Sequence, residues 1–129
     1  MNAVGIDVSK GKSMVAALRP MGEVALLPQE FLHTAPGLDR MAHTILALGE
    51  DTRVVMEATG RYHEPVAAAL SAYGIYVCVL NPLYIKQSGA GSIRKVKTDK
   101  ADSLKIAKYG LDNWVDLREH TPMDTIRQQ

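Results

Sequence analysis

Four acidic side chains lie at positions where an ionised carboxylate needs a partner. Asp7 is the only polar side chain in the apolar run 3–8, and Glu57 ends the strand-like run 53–57. A carboxylate at the end of a buried strand is costly unless it is paired, hydrogen-bonded or bound to a metal. Asp99 and Asp102 are three residues apart, which on a helix places them on one face, about 5–6 Å apart at Cβ. The four carboxylates are therefore candidate metal ligands.

Each acid also has a simpler explanation when it is considered alone. Asp7 is compatible with a turn residue, Glu57 with a buried ion pair to Arg61, and the aspartate pair with the start of a helix. Four carboxylates that converge, however, repel one another unless cations lie between them. Such hard oxygen ligands suit Mg²⁺ or Mn²⁺ rather than Zn²⁺. Two such ions about 4 Å apart can activate a nucleophile and stabilise the leaving oxygen in phosphodiester chemistry.

Apolar runs and turn residues place these acids in an α/β fold. The first three predicted strands are joined by short turns and form an antiparallel set. Pro28 in the third strand lacks an N–H donor, which assigns that strand to an edge of the sheet. If the first and fourth strands are parallel neighbours, Asp7 and Glu57 emerge at the same edge, where open α/β sheets bind their ligands. Strands are predicted at 3–8, 14–18, 23–32, 53–57 and 75–80.

Helices alternate with the later strands. They are predicted to begin near Thr34, Pro65 and Thr98, with a short helical stretch after Asn81. The resulting order, βββαβαβα, implies three antiparallel strands followed by two parallel crossover strands, with helices on both faces. Helical spacing assigns the buried stripes to Leu38, Met41, Ile45 and Leu48 in the first helix, Val66, Leu70 and Tyr73 in the second, and Leu104, Ala107 and Leu111 in the last.

The net charge of +1 conceals an uneven distribution of charge. Segment 86–108 carries seven basic and two acidic residues, or +5, whereas the remainder carries eight and twelve, or −4. A basic segment beside an acidic metal site suits a phosphate backbone, although charge alone is equally compatible with a solvated lysine-rich surface. The expected nucleic-acid contacts are Lys10, Arg61, Lys86, Arg94, Lys95, Lys97 and Lys100.

Length and composition exclude several other classes of protein. The 129 residues, 47% hydrophobic and 22% charged, support one folded domain rather than a disordered chain. The purely apolar runs are far shorter than the roughly 18 residues of a membrane span, and no secretion signal follows Met1. The single cysteine, Cys78, excludes a disulfide framework and suits a reducing cytoplasm.

Four motifs occur in a characteristic order along the chain. They are Gly5-Ile6-Asp7-Val8-Ser9-Lys10, Glu57-Ala58-Thr59-Gly60-Arg61-Tyr62, Asn81-Pro82 and Lys97-Thr98-Asp99-Lys100-Ala101-Asp102. In this order they resemble the DEDD transposase family, insertion-sequence recombinases related to the Piv invertase. The resemblance covers essentially the whole chain. One departure is Ser103, where the family more often has alanine.

The resemblance implies a ribonuclease H-like domain, similar to the Holliday-junction resolvase RuvC, with transposase or recombinase activity. It assigns catalytic and metal-binding roles to Asp7, Glu57, Asp99 and Asp102, which would hold two Mg²⁺ or Mn²⁺ ions. It further implies DNA and a bridge RNA as partners, a homo-oligomer, no membrane, and a prokaryotic cytoplasm with action at the nucleoid.

The resemblance also predicts how the chain is divided. Residues 1–111 are expected to form the RuvC-like catalytic domain. Residues 112–129 are expected to begin a linker helix that leads to a C-terminal domain, outside this chain, which carries a catalytic serine.

Two other functions remain open at the level of sequence. The N-terminal domain of an actin-like sugar kinase also begins with a Gly-Ile-Asp strand and a hairpin, but it would not explain the Asp-x-x-Asp helix in a basic segment. A non-catalytic nucleic-acid-binding module would explain the lysines but not the four acids. A P-loop is disfavoured because five residues, rather than four, separate Gly5 from Gly11.

Overall fold

The computed structural model describes residues 1–81 and 99–120, with only the backbone described for 99–101. Its five strands form one sheet in the order β3-β2-β1-β4-β5, where β1 is Asn2–Ser9, β2 Lys12–Arg19, β3 Glu23–Leu32, β4 Thr52–Glu57 and β5 Tyr76–Leu80. β1, β2 and β3 are antiparallel, whereas β4 runs parallel to β1 and β5 runs parallel to β4. The predicted mixed sheet is confirmed, with β3 at its edge.

Within the described residues, three helices cover the two faces of this sheet. α1 (Ala35–Leu46) and α2 (His63–Ala72) lie on one face, and α3 (Asp99–Asp112) lies on the other. The predicted start of α1 is confirmed, because the Thr34 hydroxyl accepts a hydrogen bond of 3.1 Å from the Gly37 amide. None of the helices in these described ranges is long and apolar enough to cross a membrane. The short helical stretch predicted after Asn81 lies outside the described residues.

The core beneath α1 and α2 follows the alternation of side chains along the strands. Val4 and Ile6 of β1 and Val54 and Met56 of β4 are fully buried there. Because successive side chains of a strand point to opposite faces, the intervening residues face α3. Each fully buried Val, Ile or Met side chain contributes about 1.5–3 kcal/mol to folding. This core therefore holds β1 and β4 firmly beside each other.

The buried face of α3 differs from the predicted one. Leu104 and Leu111, which were expected to face inward, are only partly buried. Ala107 is buried as predicted, and the other buried side chains are Ser103 and Ile106, at most 3% exposed. Small residues face the sheet because the helix backbone lies very close to it, and the two leucines are left at the flanks.

The predicted buried stripe of α2 is also wrong at Tyr73. Val66 and Leu70 are buried, but α2 ends at Ala72 and Tyr73 is 42% exposed. Its hydroxyl donates a hydrogen bond to Asp39 of α1, and this bond raises the pKa of Tyr73. A phenol can cover apolar surface while its hydroxyl meets a polar partner, so helical spacing alone did not identify its position.

The chain beyond α3 folds back along the outer side of β5. This C-terminal segment, residues 113–120, contains the 3₁₀ turn Trp114–Asp116 and the buried Leu117. The Leu117 carbonyl accepts a hydrogen bond from the Tyr76 hydroxyl at 3.0 Å, and the His120 amide donates to the Val77 carbonyl at 2.6 Å. The predicted division of the chain at 112 and the linker helix beyond it stay predictions.

Arg53 of β4 holds the C-terminal segment against the sheet. Its guanidinium lies 4.8 Å from the centre of the Tyr76 ring and 4.5 Å from that of Trp114, and it donates a hydrogen bond to the Trp114 carbonyl. A guanidinium between two aromatic faces gains cation–π attraction from both. The segment is therefore part of the folded domain.

A buried hydroxyl is paired with a histidine between β2 and the end of β3. Ser13 is 1% exposed, and its Oγ lies 2.7 Å from Nε2 of His33. Burial lowers the pKa of His33 from its ordinary value of 6.5. Neutral His33 therefore contributes stability that is fully present above about pH 6.5 and is lost as the pH falls through the folded-state pKa.

We expect the free energy of unfolding to decrease as the pH is lowered from about 8 to about 5, and His33→Gln to decrease that dependence. Glutamine can still hydrogen-bond Ser13 but does not titrate in this range. Urea unfolding followed by circular dichroism at several pH values measures the effect, with the exposed His43→Gln as control. An unchanged pH dependence in His33→Gln would contradict the assignment.

Candidate active site

Asp7 and Glu57 lie side by side at the carboxyl ends of β1 and β4. The parallel register pairs Ile6 with Met56, and the two acids are each one residue further along. Neighbouring strands are about 4.8 Å apart, so the two side chains leave the sheet close together and on the same face. Both are half-buried. The prediction that these strands are parallel neighbours is confirmed.

The direction of α3 brings its first turn to the same end of the sheet. Ser103 and Ala107 lie over Gly5, whereas Gly110, later in the helix, lies over Ala3 and the neighbouring strand β4. The helix thus runs opposite to β1, with its N-terminus above the carboxyl ends of β1 and β4. Ile6 and Met56 point to the opposite core, so the two strand acids lie on the α3 side.

The helix supplies the other two candidate ligands. Asp99 is its first residue, and Asp102 follows three residues later and is half-buried. Positions three apart share one face of a helix, and the helix N-terminus favours negative charge. The backbone therefore brings all four acid positions to one end of the sheet, although the Asp99 side chain lies outside the described part.

Gly5 is the residue that makes this arrangement sterically possible. A Cβ at Gly5 would lie 2.1 Å from the Ser103 carbonyl oxygen and 2.4 Å from the Ala107 nitrogen, both of which are backbone atoms. Any side chain there would push α3 away from β1. This role of Gly5 was not predicted, although a glycine within a strand is itself a signal of close backbone approach.

His63 is a second residue to which the sequence assigned no role, and it contacts the backbone just beyond Glu57. The Ala58 amide donates to the Leu80 carbonyl at 2.8 Å, and the Thr59 amide donates to Nδ1 of His63 at 3.1 Å. Burial lowers the pKa of His63, with Glu64 opposing the shift and His120 adding to it. No sequence pattern indicates this contact, because it joins a backbone amide to a side chain across a turn.

The predicted basic contacts are only partly within the described structure. Lys10, in the turn after β1, and Arg61, in the turn after β4, are both exposed and lie at the same end of the sheet as the acids. Lys100 lies in the first turn of α3, where only the backbone is described. The remaining four, Lys86, Arg94, Lys95 and Lys97, lie outside the described residues, and their role stays a prediction.

The donor chemistry of this edge fits a hard divalent cation. Carboxylate oxygens on two strands and one helix are the ligands that Mg²⁺ and Mn²⁺ prefer. Among the side chains that the structure describes, which leave out that of Asp99, no group of three or more His, Cys, Asp or Glu residues is arranged to hold a metal ion. The ligand set Asp7, Glu57, Asp99 and Asp102 therefore stays a prediction.

Comparison with known proteins gives matches in sequence and in fold. The profile of a transposase family, the DEDD transposases of the IS110 type, matches residues 4–128. Pilin gene-inverting proteins of Moraxella lacunata and Moraxella bovis are each 37% identical over 57 residues, which is 44% of this chain. The aligned stretch spans 18% of the length of those relatives.

The solved structures that the chain resembles include two of RuvC. RuvC of Thermus thermophilus has a TM-score of 0.62 at 16% identity, over 93% of this chain and 100% of that chain. RuvC of T. thermophilus in complex with a Holliday junction substrate also gives 0.62, at 14% identity, over 93% and 99%. This likeness confirms the ribonuclease H-like, RuvC-like fold predicted from the sequence.

We expect Gly5→Ala to decrease the free energy of unfolding by about 1–3 kcal/mol or more, because overpacking against backbone atoms forces α3 to shift. Urea unfolding measures the loss. Gly110→Ala is the matched comparison, since its added Cβ would lie 3.0 Å from Cγ2 of Val55 and 3.3 Å from Cβ of Ala3, which are side-chain rather than backbone atoms. Alanine also favours the helix there, so a smaller loss than at Gly5 is expected. Equal stability of Gly5→Ala and the unmodified chain would contradict the proposed contact.

Proposed function

Because the chain belongs to the DEDD transposase family, with a match over residues 4–128, we propose that it is a metal-dependent catalytic domain that acts on DNA phosphodiester bonds during insertion-sequence transposition. The observation that carries this proposal is the parallel register of β1 and β4. It places Asp7 and Glu57 side by side beneath the first turn of α3.

In the proposed site, the sheet and the helix have different roles. Asp7 and Glu57 project from strands held by the core beneath α1 and α2, which restricts their movement. Asp99 and Asp102 come from α3, whose distance from the sheet is set by Gly5. Two bound divalent ions would activate the attacking oxygen and stabilise the leaving one. The protein would supply the fixed spacing of the carboxylates.

The nucleic acid is proposed to lie across the same edge of the sheet. The exposed Lys10 and Arg61 follow the two strand acids in sequence and lie at that edge. Lys95 and Lys97 precede the acids of α3. Lysine and arginine bind phosphates without reading bases, so this contact would position the backbone and depend strongly on salt.

The remaining parts of the proposal come from the resemblance to the family. They are guidance by a bridge RNA, self-association, and a catalytic serine in a C-terminal domain outside residues 1–129. Ser13 and Ser103, at 1% and 0% exposed, are too buried to serve as that nucleophile. Family membership also favours the transposase over the sugar kinase and the non-catalytic module.

We expect Asp7→Asn and Asp102→Asn each to abolish binding of Mg²⁺ or Mn²⁺, because each removes one charged oxygen ligand. Isothermal titration calorimetry with MnCl₂ and MgCl₂ measures this loss. Asp112→Asn is the matched control. It makes the same charge change at the other end of α3, where Asp112 pairs with Lys108 at 2.7 Å. Unchanged metal binding in both site variants would overturn the proposed site.

We expect Lys95→Glu and Lys97→Glu each to weaken binding to a mixed-sequence DNA duplex. The slope of log K against log salt concentration is negative. If each lysine contacts one phosphate, its loss reduces the magnitude of that slope by about 0.9. Fluorescence anisotropy at several salt concentrations measures both quantities. Arg40→Glu makes the same charge change at an exposed position of α1, and its effect should be small. Equal effects at all three positions would indicate a general charge effect rather than a binding surface.

A further inference from the structure

The chain immediately after Glu57 is tied down by two consecutive backbone amides. The amide of Ala58 donates to the carbonyl of Leu80 at the end of β5. The amide of Thr59 has no further strand to pair with, and it donates to Nδ1 of His63 at 3.1 Å. The imidazole thus supplies a hydrogen-bond acceptor for this amide just beyond the end of β4.

His63 is held where it can serve as this acceptor. It is the first residue of α2, and the turn that leads to it is closed by a 3.0 Å hydrogen bond from the Tyr62 amide to the Thr59 carbonyl. Both backbone groups of Thr59 are therefore bonded within one turn. Gly60 has a φ of +57°, a conformation that suits glycine and allows the turn to be tight.

The direction of the hydrogen bond fixes the state of the imidazole ring. A backbone amide can only donate, so Nδ1 of His63 must carry a lone pair and the proton must lie on Nε2. Burial lowers the pKa of His63 and so favours this neutral form. Glu64 and His120 are the charged or titratable neighbours that also influence the ring.

We propose that His63 is a positioning residue for the acidic site: its Nδ1 fixes the Thr59 amide and thereby the backbone from which Glu57 projects. This inference rests on the proposed function, in which Glu57 binds metal. His63 does not itself contact substrate or metal in this proposal. Groups that orient a metal ligand typically change metal affinity when they are removed.

Two variants with polar side chains test whether the hydrogen bond itself is needed. One of them keeps an acceptor for the Thr59 amide, and the other loses it. In His63→Asn, the side-chain oxygen can occupy the position of Nδ1 and accept from Thr59. In His63→Gln, the polar atoms lie one bond further out, near the position of Nε2, and the acceptor is lost. His43→Gln is the control. It makes the same substitution at a histidine of α1, whose Nδ1 lies 2.9 Å from the Asp39 carbonyl of the same helix.

The experiment measures Mn²⁺ affinity by calorimetry and the Thr59 amide by NMR hydrogen exchange, using the whole 129-residue chain. We expect His63→Gln to weaken Mn²⁺ binding by about 10-fold, the lower end of the range for groups that orient a metal ligand, and to speed exchange at Thr59. His63→Asn should restore both, and His43→Gln should change neither. Thermal melting of each variant confirms that it is folded.

The outcomes distinguish this inference from the function on which it rests. If the unmodified chain binds Mn²⁺ and His63→Gln binds it equally tightly, the positioning role is overturned and the metal site is left intact. Weakened binding in both His63→Gln and His63→Asn, with unchanged exchange at Thr59, would also overturn it. A failure of the unmodified chain to bind Mn²⁺ would overturn the proposed function, and the inference with it.

Discussion

The close contact between α3 and β1 is the constraint on which the arrangement of the acidic residues depends. At Gly5 the backbone of the helix lies where a side chain would otherwise be, with the Ser103 carbonyl 2.1 Å from the position of an added Cβ. Because the helix is in contact there, its first turn is carried to the ends of β1 and β4. A larger separation would remove Asp99 and Asp102 from the two strand acids. The proposed arrangement of the four acids thus depends on the lack of a side chain at Gly5.

Much of the fold was predictable because short strands, turns and acids in apolar runs are local features. The three antiparallel strands, the edge position of β3 and the parallel pair that joins Asp7 to Glu57 are all confirmed. The buried face of α3 was predicted only at Ala107, because the close approach of the helix to the sheet admits small residues such as Ser103 and leaves the two leucines at the flanks. The contact of His63 with Thr59 depends on the geometry of a turn, which the spacing of hydrophobic residues does not predict.

The charges at this end of the sheet affect how the sheet and α3 are held together. Four carboxylates that converge in the proposed site would repel one another, most strongly in the absence of cations. Two of them belong to the sheet and two to α3, so a divalent ion in the proposed site would join the two layers. The basic side chains Lys10 and Arg61 at the same end reduce the local negative potential. Metal and phosphate binding would then support each other electrostatically.

The two outer strands of the sheet determine which surfaces another chain can use. Pro28 removes one amide donor from β3, and the His120 amide already occupies the Val77 carbonyl of β5. Unpaired strand edges are templates for the addition of a further strand, and both edges here carry an obstacle to it. Extension of the sheet by a further strand is therefore disfavoured at both of its edges.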